Sequence, residues 1–231
     1  PVTSAATLGI DPGSSTAGEI FAEARKLEAE VIVVNHPYST YGYFRSLDLG
    51  VAPGGFAQDF DLLELNYQYS VKETVHKLWE LWNQGVACYL TAGTDTHSIW
   101  QDTSGAVRMY AYLDSKPTPG GFITALKSGH AFATFGPLVF PEIVFGREVS
   151  TKAGQPFRLA YDLVAVEGIK TVDLIHNGQV QDSIQETQAR TSREVSFSVR
   201  PEQDGWYALV VADRKNNQAF TNPVWVKVNR G

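Results

Sequence analysis

The residues best suited to metal chemistry in this chain are two histidines and an aspartate that follow short apolar runs. His36 follows the β-branched run 31–34, and Asp95 and His97 follow an apolar segment over 87–92. Imidazole nitrogens and carboxylate oxygens are good ligands for zinc, manganese or iron. Functional groups of parallel α/β folds lie at the C-terminal ends of strands. The spacing therefore favours one metal site, with a polar turn or an ordinary loop histidine as the alternative for each residue.

Four further residues are candidates for the same site. Glu64 lies in a very short apolar segment and is the candidate catalytic residue, either as a proton carrier or as a partner that orients a ligand histidine. A solvated strand end is the alternative for Glu64. Tyr38 and Asn66 are candidate substrate contacts. His130 follows a glycine at a predicted helix end, where a cation complements the helix dipole, and it is also a candidate for lining the site.

Strands and helices alternate up to about residue 137. Two capping boxes, Thr16 with Glu19 and Ser70 with Glu73, mark helix starts, and the segment between about 38 and 60 is predicted as a loop. This alternation predicts a parallel α/β architecture that positions the candidate ligands at strand ends. The predicted helices are 17–28, 71–84 and 119–127, and the predicted strands are 31–34, 62–65, 87–92, 106–112 and 131–135.

The pattern changes after about Pro141. Short segments with alternating apolar residues follow one another without convincing helices, and Asn177-Gly178 is a strong hairpin signal between two of them. This pattern is typical of a small antiparallel, immunoglobulin-like β-sandwich. The sequence therefore predicts two domains, an α/β part over 1–140 and a β-sandwich over 141–231.

Four segments in this order resemble the polymerase and histidinol phosphatase (PHP) superfamily, and more closely its carbaryl-hydrolase-like (CehA/McbA-like) metallohydrolase branch. They are Asn35-His36-Pro37, Glu64-Leu65-Asn66, Gly93-Thr94-Asp95-Thr96-His97 and Ser128-Gly129-His130-Ala131-Phe132-Ala133-Thr134-Phe135-Gly136-Pro137. Members of that branch often carry a C-terminal β-sandwich, and the stretch from 205 to 223 is similar to the end of that module. The resemblance implies that residues 1–140 are the C-terminal part of a distorted (β/α)7 barrel.

The resemblance also implies a function. His36 would ligate one metal, Asp95 another and His97 the same cluster of two or three zinc, manganese or iron ions. The expected reaction is hydrolysis of a small-molecule phosphate ester, carboxylic ester or carbamate by metal-activated water. The family's first motif, His-x-His, is absent, and the family usually has Arg where this chain has His130. The N-terminal half of the barrel is therefore expected from the same precursor or from another chain.

Two other functions stay open at this point. The chain resembles a PHP protein that has lost half of its ligands, so it is alternatively a non-catalytic structural or binding subunit, and an oligomer is compatible with either function. A third interpretation is a carbohydrate- or surface-binding module in the sandwich, suggested by Trp206, Tyr207 and Trp225. Core packing explains these aromatic residues more simply, and an exposed coplanar pair would favour the binding module.

Composition excludes several partners. The net charge is −6 with a sequence pI of about 5.4, which argues against binding nucleic acid or anionic lipid. No apolar stretch approaches the roughly 18 residues of a membrane span. The single cysteine, Cys88, allows no intramolecular disulfide and leaves the compartment open, with an exported location favoured over the cytoplasm.

Overall fold

The computed structural model describes residues 9–11, 13–98, 100 and 104–229. The helices are α1 (Ala17–Lys26), α2 (Tyr43–Asp48), α3 (Val71–Asn83) and α4 (Pro119–Lys127). The first seven strands are β1 (Val33–Val34), β2 (Leu62–Asn66), β3 (Tyr89–Gly93), β4 (Arg108–Ala111), β5 (Ala131–Thr134), β6 (Leu138–Pro141) and β7 (Glu148–Lys152). The other seven are β8 (Phe157–Val164), β9 (Ile169–His176), β10 (Gln179–Gln185), β11 (Ser192–Val199), β12 (Gly205–Asp213), β13 (Gln218–Thr221) and β14 (Val224–Asn229).

A small parallel sheet forms the first part of the chain. Its order is β1-β2-β3, with Val34 opposite Leu63 and Leu65 opposite Ala92. Leu63 and Leu65 are fully buried, and they face the same apolar core as helices α1 and α3. Because all three strands run in one direction, their C-terminal ends lie at one edge of the sheet.

The predicted β-sandwich is confirmed. One sheet has the order β10-β9-β12-β13-β5-β4, with β14 joining it through β12 and β7 through β14, and the facing sheet has the order β11-β8-β6. Every second residue of the strands points into the core between them, as with Val195 and Phe197 of β11 and Leu209 and Val211 of β12. The sequence of β11 alternates apolar and polar residues, as expected for a strand with one buried face.

Strand β12 is buried on both faces. It therefore belongs to both the core of the sandwich and the core that contains α3. Tyr207 and Leu209 face the interior of the sandwich, whereas Trp206 and Ala208 face the core that contains α3. Helix α3 therefore covers the outer face of the large sheet, and its Trp82 ring lies edge-on to Trp206 at 4.9 Å between centroids.

The predicted α/β class, with a partial (β/α)7 barrel, is wrong. Most of the chain is β-sandwich and the helices are short. In the described residues the parallel α/β part is limited to the three-stranded sheet β1-β2-β3, which does not form a barrel. Strands β4 and β5 were predicted to continue the parallel sheet, but they pair antiparallel, and β5 also pairs with β13 of the sandwich. Alternation of strand and helix does not determine which neighbour a strand pairs with, and here the larger sheet crosses the predicted boundary at residue 140.

Some of the predicted caps, turns and loops are present in the structure and others are not. The capping box of Thr16 and Glu19 is present, whereas Ser70 makes no side-chain cap to α3. The turn at Asn177-Gly178 has positive φ at both residues, as a type I′ hairpin requires. Helix α2 lies inside the predicted loop, and its N-cap residue, Gly42, provides no side-chain cap. None of the helices in the described ranges is long and apolar enough to cross a bilayer.

Candidate functional site

The candidate ligands follow the C-terminal ends of the parallel strands. We call this edge, with segments 35–39, 64–69 and 93–98, the rim. Strands β1 and β3 lie on either side of β2, so their ends are two strand spacings apart, about 10 Å. Side chains that follow β1 and β3 can approach each other across β2 at this distance.

His36 is held by its neighbours in a defined orientation. Its backbone has a φ of 30°, which is unusual for a residue with a side chain. Its Nδ1 lies 3.2 Å from Oγ of Ser39, and its ring makes an edge contact with Tyr69 at 5.9 Å between centroids. When Nδ1–H donates to Ser39, the lone pair of Nε2 is the one available to a metal.

Asp95 repeats this geometry after β3. It lies two residues beyond the strand, as His36 does beyond β1, and its φ is 52°. Nδ1 of His97 lies 2.6 Å from the carbonyl oxygen of Asp95 and 3.8 Å from its Oδ1. The His97 side chain is 78% exposed, so the pair lies at the surface of the rim.

Glu64 joins these elements through hydrogen bonds. Its Oε2 accepts from the backbone N–H of His36 at 2.7 Å and from Nδ2 of Asn66 at 3.3 Å. Asn66 is 1% exposed, and its Oδ1 accepts from the N–H of Gln68 at 2.8 Å. Glu64 and Asn66 are therefore both at the rim, and their side chains are hydrogen-bonded to each other.

The side chains of two predicted residues contact parts of the molecule other than the candidate ligands. The ring of Tyr38 stacks on Phe44, and its hydroxyl is hydrogen-bonded to Asp48, so burial and the Asp48 charge raise the pKa of Tyr38. His130 follows Gly129, where an added Cβ would overlap the ring of Tyr89 at the start of β3, the opposite end from the rim. His130 lines an apolar cavity of about 240 Å³ there, and burial lowers its pKa.

The rim residues have the chemistry of divalent-metal ligands, but they do not form a complete site by themselves. Within the described ranges, no group of three or more His, Cys, Asp or Glu side chains is arranged to bind a metal ion. The Cys88 thiol adds nothing, because it is fully buried and burial raises its pKa to about 12. The described residues therefore bring the candidate ligands to one edge of the parallel sheet without forming a complete metal site.

Sequence reasoning did not identify Ser39 and Gly93 as site residues. Ser39 orients the His36 ring, and Gly93 lies against the Glu64 carboxylate. Gly93 did carry a signal, because a glycine at the end of an apolar strand often marks the close approach of another group. Ser39 carried none, since a serine in a polar loop is ordinary.

The sandwich aromatics do not form the pair that would indicate a carbohydrate-binding surface. Trp206 and Tyr207 are each 2% exposed, and Trp206 donates its indole N–H to Oδ1 of Asn83 on α3. Trp225 lies edge-on to Trp82 with ring planes 74° apart. The rings therefore pack α3 against the sheet, as expected of core residues.

The left-handed backbone of Asp95 gives a testable expectation. Because this conformation costs a residue with a Cβ about 1 kcal/mol, Asp95→Gly should raise the free energy of unfolding by up to about that amount. Glu28→Gly is a matched control, since Glu28 has a φ of 60° after α1 and lies away from the rim. Both variants should be equally or more stable than the wild type in urea unfolding. A clear loss of stability in Asp95→Gly alone would show that its side chain supports the fold.

Comparisons with known proteins assign no family. Searches with family models and among curated proteins found no match to the chain. Solved structures with partial likeness include fibronectin(III)-like modules of Clostridium thermocellum CbhA, at 15% identity and a TM-score of 0.30, covering 40% of this chain and 96% of that one. A superoxide reductase (neelaredoxin) from Ignicoccus hospitalis has 13% identity and a TM-score of 0.30, covering 41% and 82%. A CARDB domain from Pyrococcus furiosus has 15% identity and a TM-score of 0.29, covering 41% and 96%.

Proposed function

We propose that this chain supplies part of the active site of a metal-dependent hydrolase, with His36, Asp95 and His97 as ligands at the rim. The observation that carries the proposal is the matched pair of left-handed residues, His36 and Asp95, each two residues beyond a parallel strand. Such residues cost free energy and gather at functional sites, where the surrounding structure holds them. The PHP-like order of the four sequence segments supports the same assignment.

Each rim residue has a role in this proposal. His36 presents Nε2 while Ser39 holds Nδ1, and Asp95 and His97 provide the second ligand position. When bound, a divalent zinc, manganese or iron ion would lower the pKa of a coordinated water and polarise the scissile group of a small-molecule phosphate ester, carboxylic ester or carbamate. Further ligands would come from another part of the same precursor or from another chain.

A non-catalytic subunit is the second candidate. It is favoured by the lack of any complete group of three metal-ligating side chains in the part of the chain that the structure describes. A subunit of this kind keeps the strand-end geometry without binding a metal. The two candidates therefore differ in whether the rim binds a metal ion.

Metal titration of the metal-free chain distinguishes them. We expect isothermal titration calorimetry to show Zn²⁺ binding that His36→Gln and Asp95→Asn each weaken at least ~10-fold, because each removes a ligand. His76→Gln is the control, since His76 is an exposed histidine on α3 beside Trp79. If the wild type binds no more Zn²⁺ than the two rim variants do, the metal site is rejected in favour of the non-catalytic subunit.

Hydrolysis is assayed in the full gene product that contains this chain. The substrates are p-nitrophenyl phosphate, p-nitrophenyl acetate and a p-nitrophenyl carbamate, which represent the three ester classes. We expect one of them to be cleaved with Zn²⁺ or Mn²⁺, and His36→Gln to abolish the reaction. Metal binding without any cleavage would leave a metal-binding role and exclude hydrolysis of these classes.

A further inference from the structure

The Glu64 carboxylate lies on the face of the parallel sheet opposite the main core. Its neighbours along β2, Leu63 and Leu65, are fully buried in the core with α1 and α3. Alternation along a strand therefore places Glu64 on the other face, beside β3. Asn66 is directly opposite Gly93 in the β2–β3 register, so the carboxylate and Gly93 are diagonal neighbours.

Gly93 is the residue that leaves room for this carboxylate. A Cβ added at Gly93 would overlap Oε1 of Glu64. The φ of Gly93 is not in the left-handed region, so its backbone is accessible to any residue. The requirement for glycine at this position is therefore space for Glu64 and not backbone freedom.

The other carboxylate oxygen is used by the turn that carries His36. Oε2 of Glu64 accepts the His36 N–H at 2.7 Å, within the short range of hydrogen bonds to a charged acceptor. This bond ties the left-handed His36 backbone to β2. Asn66 donates to the same oxygen at 3.3 Å and is itself buried, which fixes the carboxylate from the other side.

We propose that Glu64 is a positioning residue, which holds the His36 turn in its left-handed conformation and depends on Gly93 for its own place. One oxygen is occupied by two donors and the other lies against Gly93, so the carboxylate holds backbone instead of carrying a proton. This role deepens the proposed function, because it acts on a metal only if His36 is a ligand. Its effect on the His36 backbone is independent of any metal.

Two readouts test the proposal on the intact chain. The first is hydrogen exchange of the His36 amide, followed by NMR, and the second is Co²⁺ affinity, followed by the visible absorption of the bound ion. We expect Glu64→Ala to speed exchange of the His36 amide at least ~10-fold and to weaken Co²⁺ binding by about 10- to 100-fold. Glu64→Gln keeps an acceptor oxygen without charge, so both effects should be smaller.

Gly93→Ala should act in the same way as Glu64→Ala, because the new methyl group displaces the carboxylate. The double variant should match Glu64→Ala, since the added methyl group then no longer meets a carboxylate. Glu73→Gln and Gly120→Ala are the controls: Glu73 is an exposed acid on α3, and a Cβ at Gly120 meets no atom within 4 Å. Circular dichroism identifies any variant that fails to fold, in which case Glu64→Gln carries the test.

The outcomes of these measurements separate this inference from the proposed function. If His36 amide exchange is unchanged in Glu64→Ala and Gly93→Ala, or if the two substitutions are additive in the double variant, the positioning role is overturned. If exchange responds as expected but the wild type binds no Co²⁺, the positioning role stands and the metal site fails. Loss of hydrolysis in Glu64→Gln with His36 exchange and Co²⁺ affinity unchanged would assign Glu64 as a proton carrier instead.

Discussion

Replacing Trp206 with alanine is expected to lower the free energy of unfolding by about 3–5 kcal/mol, because it empties the contact between α3 and the sandwich. Trp206 is 2% exposed, packs edge-on against Trp82 and bonds Asn83 through its indole N–H at 2.8 Å. Since small domains are stable by only about 5–15 kcal/mol, this loss would be a large fraction of the total. Chemical denaturation followed by circular dichroism measures it.

Trp100→Ala is the matched control for this substitution. Trp100 is 89% exposed, so its truncation should change the free energy of unfolding by less than about 0.5 kcal/mol. If Trp206→Ala cost as little as Trp100→Ala, α3 would not be packed on β12 in solution. The packing of α3 between the parallel sheet and the sandwich would then be rejected.

Asn222→Ala is expected to cost about 2–4 kcal/mol, because it leaves buried backbone groups without good partners. The Asn222 side chain is fully buried, accepts the N–H of Leu90 in β3 at 2.8 Å and donates to the carbonyl oxygen of Ala131 in β5 at 3.0 Å. One amide thus links the parallel sheet to the large sheet of the sandwich. Denaturant unfolding gives the free energy, and hydrogen exchange at the Leu90 amide reports the broken bond.

Asn229→Ala controls for the loss of an asparagine without this link. Asn229 is exposed at the end of β14, and its substitution should change stability by less than about 0.5 kcal/mol. An Asn222→Ala protein as stable as Asn229→Ala, with Leu90 still protected from exchange, would show that water replaces the amide. The direct link between the two sheets would then contribute nothing to stability.

Much of the local structure could be predicted because its causes are local. The Thr16 capping box forms between residues three apart, and the Asn177-Gly178 turn needs only two residues that tolerate positive φ. The alternation in β11 appears in the sequence because each side chain faces either water or the core. Helix α2 was missed since it lacks a side-chain cap, and its Phe44, 2% exposed, is buried by contacts from other segments.

The sheet order could not be predicted, because strand pairing depends on residues far apart in the chain. Phe132 of β5 pairs with Thr221 of β13, and this pairing removes β5 from the parallel sheet. The second buried face of β12 likewise depends on α3, more than 100 residues earlier. Nothing in the composition of either segment indicates its distant partner. The barrel expected from the family resemblance was wrong because β5 belongs to the large sheet of the sandwich.

The sequence by itself determined which residues follow the apolar strands, and hence that His36, Asp95 and His97 are the candidate ligands. The tertiary structure alone decided their arrangement: it placed β1 and β3 on either side of β2, bonded Glu64 to the His36 amide and left His130 at the far end of the strands. Residue type sets which atoms are able to bind a metal. Only the packing of strands from distant parts of the chain brings those atoms to a common edge.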